Sequence, residues 1–466
     1  MIFGFHSVLM AAIGTIAIDF SAVRGPVKPV NGVGQPPMIG ALQDWYMMHY
    51  MKEAGIPYAR LHDVGGWMGQ GLFVDIPNLF PDFEADEDDP KSYRFVYTDS
   101  LIKSLVDNGV EPFFRLGVSI ENFVEWGMPP VRCMPPSDFA KWARVCEHII
   151  RHYTEGWAAG FRYTISYWEI WNEPDNMPEK TQNVLWYGTF DEYIRFYGTV
   201  APYLKGKFPH LKIGGYGSCG FYAGVGSQHV AAANSSPRMS YFIDCAHRFL
   251  KAARDNKWPL DFFSFHSYSG PVEALRQVAF ADSLLSSYGF TRQKTERAFN
   301  EWLPEPRHED LGTAKQAAQI AAEMIGLQNG PCDLACIYDA RCGAGNYSPL
   351  FNCLTYKPHK AYSVFLAFNE LRKLGTAVKS PETPDGVFAA AATDGTNACV
   401  LVANISGQVR QTSFDVGDWE VVGARVIDER QTYAEAAVPV QLPPDTVWLV
   451  RFRRSGAIRC GKDSVR

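Results

Sequence analysis

Residues 163–175 read YTISYWEIWNEPD, an apolar and aromatic run that ends abruptly in Asn172, Glu173 and Pro174. Such a run fits a buried strand, and Pro174 stops it because a prolyl nitrogen cannot donate to a sheet. Its flanks have a different period. Before it, SDFAKWARVCEHIIRHY (137–153) carries apolar residues at 139, 142, 143, 146, 149, 150 and 153, one face of a helix with Ser137 as the expected N-cap. After it, FDEYIRFYGTVAPYLK (190–205) does the same at 190, 193, 194, 197, 200, 201 and 204. A buried strand between two amphipathic helices is the repeating unit of a parallel sheet.

The unit recurs along the chain. Further strand candidates are VNGVG (30–34), PYARLH (57–62), VEPFFRLG (110–117), LKIGGYG (211–217), DFFSFHSY (261–268), ERAFNEW (296–302) and DLACIYD (333–339), which with 163–172 make eight. TAKQAAQIAAEMIGLQNG opens on a capping Thr313 and stops at Gly330, and KPHKAYSVFLAFNELRKL (357–374) closes the series. Eight strands with helices between them predict an α/β protein, a (β/α)8 barrel over residues 29–374. No GxGxxG turn follows the first strand, which counts against a dinucleotide fold.

Past Gly375 the texture changes to short alternating runs such as NACVLVANIS and TVWLVRFR, predicting an accessory β-sandwich over 375–454. Within residues 1–28, TIAIDFSAV (15–23) is expected to pair with that sandwich, and residues 455–466 to form a frayed tail.

Composition narrows the function classes. The 466 residues are 47% hydrophobic with a formal net charge of −6 from interspersed charges, so a nucleic-acid partner is not expected. The ten cysteines lack paired CxxC spacing and read as buried free thiols, not a zinc site. The acidic stretch PDFEADEDDP (81–90) lacks the glycine and terminal glutamate of a calcium loop and reads as solvated. The opening MIFGFHSVLMAAIGTIAIDF has no Lys or Arg before Arg24, hence no basic n-region. No apolar stretch is long enough to span a bilayer, so no membrane partner and a cytoplasmic location are expected. Aromatic residues make up 14% of the chain, enough for a large core and for platforms that hold sugar rings.

In a (β/α)8 barrel the reactive groups stand at the carboxyl ends of the strands. Glu173 ends the fourth strand candidate, and Glu301 ends the seventh, where a charge after Ala298 and Phe299 is costly unless paired or used. Two such glutamates facing each other across one barrel mouth are what glycoside hydrolysis needs, one to protonate the leaving oxygen and one to attack the anomeric carbon. Period two places Glu169, Trp171 and Glu173 on one face, with Glu169 deeper and in need of a partner such as Arg115.

With WNEP at the fourth strand, FHSY at the sixth, NEW at the seventh and RLHD at the second, the chain resembles the retaining glycoside hydrolases of clan A. Within that clan it is similar to glycoside hydrolase family 39, the β-xylosidase and α-L-iduronidase group, over most of residues 15–454. The resemblance implies that Glu173 is the acid/base, Glu301 the nucleophile, Asn172 the partner of the sugar 2-hydroxyl and Arg60 the residue orienting the nucleophile. It also makes His266 and Tyr268 candidates for contact with the glutamates and substrate. His62 and Asp63 are candidate contacts for a sugar hydroxyl, and Trp302 a candidate platform. The eighth strand ends IYDARCGAG where many clan members have a tryptophan, so Tyr338, or Tyr347 in the loop, is the expected substitute.

The implied reaction is exo-acting hydrolysis of an oligosaccharide or glycoside with retention, requiring a raised Glu173 pKa in the free enzyme and neither metal nor organic cofactor. Rival readings are an arabinosidase, galactosidase or uronidase of the same clan, the last using Arg341 for a sugar carboxylate, a transglycosylase, or a catalytically silent sugar-binding barrel.

Overall fold

The computed structural model describes residues 14–37, 44–64, 74–119, 133–226 and 237–456. Eight parallel strands close into a barrel in chain order: Gly32–Gly34, Tyr58–Leu61, Glu111–Leu116, Tyr167–Ile170, Lys212–Ser218, Phe262–Ser267, Glu296–Trp302 and Leu334–Tyr338. Every predicted strand is present. The fourth is shorter than predicted because residues 161 and 163 bond back to the preceding helix, Phe161 N to His152 O at 2.6 Å and Tyr163 N to Tyr153 O at 2.8 Å.

The helices between them follow the predicted periodicity. Phe139–Thr154 is capped by Asp138, whose side chain accepts from Lys141 N at 2.9 Å, and not by Ser137. Helical geometry starts at Phe139, so the residue immediately before it reaches the third amide. Phe190–Lys207 starts in a capping box of Thr189 and Glu192, and Ala314–Asn329 is capped by Thr313 and ends at Gly330.

The barrel interior is layered. Phe113, Tyr167, Phe262, Ala298 and Leu334, from the first residues of their strands, plug the bottom, with the Phe113 and Tyr167 rings stacked at 5.0 Å. Above this plug the interior turns polar, with Arg60, Glu169 and Asn300 fully buried.

Two irregularities shape the top. Along the seventh strand, Ala298 to Glu301 spans three residues opposite the two from Ser264 to His266, and Phe299 to Trp302 spans three opposite Ala335 to Ile337. This bulge brings the consecutive residues Asn300 and Glu301 both to the interior, which strict alternation forbids. On the fifth strand a matching shift falls at Gly217, whose φ is +65°. A Cβ there would stand 3.1 Å from Asn172 Oδ1 and 3.3 Å from the His266 ring, so glycine gives both side chains their room.

The remainder is a β-sandwich. Its larger sheet contains Thr376–Val378, Val387–Thr393, Asn397–Asn404, Trp419–Ile427, Thr432–Ala436 and Thr446–Arg454, with Val23–Pro26 at one edge. In the smaller sheet, Gly14–Ala17 pairs in parallel with Arg410–Asp415, which also meets Gln441–Leu442. Ile16, Ile18 and Phe20 enter the sandwich core beside Val400, Val402 and Phe452.

The nine described cysteines are free, eight of them buried. Among the described residues, no helix is long and apolar enough to cross a membrane. The expected tail beyond residue 456 and the apolar residues before Gly14 lie outside the described residues.

Candidate active site

Arg60, on the second strand, organises the floor of the barrel mouth. Its Nε donates to Glu169 Oε2 at 2.7 Å, its Nη1 to Glu301 Oε2 at 2.8 Å and its Nη2 to Asn172 Oδ1. Burial opposes the guanidinium charge, but Glu169 and Glu301 outweigh it and hold Arg60 protonated. Glu169 also accepts from Asn300 Nδ2 at 2.8 Å. Its expected partner Arg115 is its neighbour in strand register, yet turns its Nη2 to Asp75 at 2.7 Å in the loop after the second strand. Glu169 is thus a buried structural carboxylate with a different cation, Arg60.

Glu173 and Glu301 converge here. Oxygens of the two carboxylates and a ring nitrogen of His266 all lie within 4.8 Å of one another. His266 Nδ1 stands 2.7 Å from Glu173 Oε1 and 3.7 Å from Glu301 Oε2. The other oxygen of each glutamate is also held: Glu173 Oε2 accepts from Asn176 Nδ2 at 3.0 Å, and Glu301 Oε1 accepts from the Tyr268 hydroxyl at 2.5 Å. Glu301 is therefore oriented by Tyr268 on one oxygen and Arg60 on the other.

The electrostatics differ from the sequence expectation at one point. Burial pushes the Glu173 carboxyl up, but the hydrogen bond and charge of His266, with Asn176, outweigh it and hold Glu173 below its ordinary value. For His266 burial works downward, and the carboxylates of Glu301 and Glu173 overcome it, raising the imidazole above 6.5. The raised pKa expected for Glu173 in the free enzyme is therefore not found. Asp175, buried and next to Glu173, is pushed up to about 7.

The backbone explains which aromatic residues reach the site. Trp171 and Glu173 have φ of 73° and 44°, strained values that cost about 1–3 kcal/mol each. The turn swings Trp171 out of the barrel among Trp142, Trp186 and Phe196, with Nε1 donating to Leu185 O at 2.7 Å. It does not share the inner face with Glu169 and Glu173 as period two predicts. Trp302, the candidate platform, is fully buried and stacks on Phe299 at 6.3 Å. The bulge before it turns the ring into the core, and it does not line the cavity.

The aromatic wall is instead tyrosine. Tyr268, Tyr338 and Tyr347 meet edge to face, Tyr347 lying 5.1 Å from Tyr268 and 5.9 Å from Tyr338. All three line a cavity of about 620 Å³ with Glu173 and Glu301 at its base. The Tyr338 hydroxyl donates to Asp63 Oδ2 at 2.9 Å and accepts from Gln35 Nε2 at 2.6 Å. His62 also lines the cavity, and its Nε2 accepts from Asn172 Nδ2 at 3.2 Å. Burial and the surrounding cations Arg115 and Arg60 keep His62 neutral. Its Nδ1 makes no hydrogen bond among the described residues.

Asn172, 1% exposed, thus connects Arg60 to His62 beneath the cavity surface. Arg341 lines the cavity with Nη2 3.1 Å from Asp339. Residues absent from the sequence reading are Gln35, Asn176, Cys219 and Arg238. Of these only Asn176 carried a local signal, three residues beyond Glu173 in the same turn.

The chain is similar to several known proteins. The model of the glycosyl hydrolases family 39 matches residues 30–315. A β-xylosidase of Caldicellulosiruptor saccharolyticus is 26% identical over 182 residues, which cover 37% of this chain and 33% of that protein; the match spans about a third of the relative's length. The crystal structure of a glucosidase from Croceicoccus marinus superposes with a TM-score of 0.74 at 21% identity, covering 95% of this chain and 100% of the other. A monomeric β-xylosidase from Caulobacter crescentus superposes at 0.67 with 14% identity, covering 94% and 99%. These structural likenesses show a shared fold.

Proposed function

Because the chain belongs to the glycosyl hydrolases family 39, we propose that it removes a terminal β-xylose or closely related sugar from an oligosaccharide or glycoside by double displacement. The observation that carries this is the approach of the Glu173 and Glu301 carboxylates, with oxygens within 4.8 Å. Retaining enzymes hold their carboxyl groups about 5–5.5 Å apart, whereas inverting enzymes need about 6.5–9.5 Å to admit a water.

In the first step Glu301 forms a bond to the anomeric carbon while the glycosidic C–O bond breaks and Glu173 gives its proton to the leaving oxygen. The proton reaches Glu173 along the 2.7 Å contact from His266 Nδ1. In the second step Glu173 takes a proton from water, which attacks the anomeric carbon and releases Glu301. Tyr268 and Arg60 keep the nucleophile aimed. His62 and Asp63, which line the cavity, receive the sugar hydroxyls, Asn172 holds His62 from beneath, and the tyrosine wall packs against the ring.

A cavity walled by Tyr338 and Tyr347 suits a chain end, which supports exo action. The name of the matched relative supports xylose as the glycone. The test is a panel of nitrophenyl glycosides with proton NMR of the first-formed product. Release of β-xylose with retained configuration is expected. Inversion, or no turnover of any glycoside in the panel, overturns the reading.

A further inference from the structure

Arg238 lies in the helix Pro237–Asp255, on the cavity wall beside Asn176, Cys219 and Phe242. Its Nε donates to the backbone oxygen of Asn176 at 2.7 Å, and its guanidinium carbon stands 4.9 Å from the centre of the Phe242 ring. These two contacts fix the plane of the fork and leave its Nη groups without an ion pair among the described residues. Arg238 is not the counterion of either catalytic carboxylate, since Glu173 is paired with His266 and Glu301 with Arg60.

Its position within the cavity is informative. Asn176, whose backbone oxygen holds Arg238, uses its side chain to hold Glu173 Oε2 at 3.0 Å. Arg238 is therefore joined through Asn176 to Glu173, the proton donor that meets the leaving oxygen. A planar, permanently charged fork held by Asn176 and Phe242, with no ion pair among the described residues, is matched to a planar or tetrahedral oxyanion.

We propose that Arg238 binds an anionic group, a carboxylate or a sulfate, on the leaving-group part of the substrate, so that the enzyme prefers glycosides whose aglycone is negatively charged near the scissile bond. This inference rests on the hydrolase reading of Glu173 and Glu301 and specifies the substrate class of that site.

The test compares three aryl β-xylosides with leaving groups of matched acidity, one neutral, one carboxylated and one sulfonated, in wild type, R238K and R238Q at low and high salt. Wild type is expected to favour the anionic aglycones in kcat/KM on the order of tenfold, the effect of one charge-assisted hydrogen bond. The preference shrinks as salt rises. In R238Q the ratio of anionic to neutral substrate falls to near one, and in R238K it is intermediate. The larger of the carboxylate and sulfonate ratios identifies which anion the fork fits. Because each ratio is internal to one protein, partial loss of folded R238Q does not move it. A wild-type ratio near one, or an R238Q ratio equal to that of wild type, overturns the inference alone. Turnover of none of the three by wild type overturns the hydrolase reading and this inference with it.

Discussion

His266 and Glu173 hold one proton between them: Nδ1 lies 2.7 Å from Oε1, the imidazole is raised above 6.5 and the carboxyl is lowered. The proton-donating form of the pair is lost as pH rises through the raised value of His266. The alkaline limb of kcat/KM is therefore expected above pH 6.5. In H266Q, burial acts on Glu173 without the partner that holds it low, so the carboxyl rises and the limb becomes that of Glu173 itself. Paired pH–rate profiles check this, and an unmoved limb in H266Q counts against the shared proton.

Replacing the two glutamates should separate their roles. E301A is expected to lose turnover, with added azide restoring part of it as the glycosyl azide of inverted configuration. E173Q should lose about 10²–10⁴-fold in kcat/KM on an unactivated disaccharide and far less in bond cleavage on a nitrophenyl glycoside, whose leaving group needs no proton. Product NMR and pre-steady-state kinetics distinguish these outcomes.

Arg60 joins Glu169, Glu301 and Asn172 in the fully buried floor. R60M leaves two carboxylates without their cation and should cost about 3–5 kcal/mol of stability, the usual range for a broken buried pair. R60K keeps the charge but not the three-way fork, so it is expected to fold and still lose most of kcat. Calorimetry and kcat measured on the same preparations test both statements.

Glu323, in the helix Ala314–Asn329, is fully buried and neither carboxyl oxygen has a hydrogen-bond partner among the described residues. Burial pushes its pKa well above 4.5. An acid whose folded pKa is raised contributes stability that is complete below its unfolded value and is lost as pH rises toward the folded one. E323Q should accordingly melt higher than wild type at neutral pH, with the gap closing toward pH 4. Thermal melts across that range measure it, and a constant gap would argue against a titrating Glu323.

The parts of the fold written in periodicity were legible in the sequence. Each barrel strand is an apolar run between helical repeats, and the strand ends exposed Glu173, Glu301 and Arg60. Legibility failed where backbone geometry departs from a regular element. Positive φ at Trp171 and the bulge at Asn300 and Glu301 reverse which neighbours face inward, and no side-chain pattern announces either. Asp75 for Arg115 and Asn300 for Glu169 are pairings across the fold, invisible to local spacing. The lowered Glu173 pKa depends on where the His266 ring points, in a space that a side chain at Gly217 would crowd.

The pairing of Gly14–Ala17 with Arg410–Asp415 sets a timetable for synthesis. The side chains of Thr15 and Ser413 that meet across this edge are 398 residues apart. At about 5–20 residues per second a ribosome takes tens of seconds to make that interval. During it, Ile16, Ile18 and Phe20 have no sheet to cover them, while the barrel strands emerge one after another beside their partners. The nascent chain thus carries an apolar segment that its sheet partner can cover only after residues 410–415 have been made.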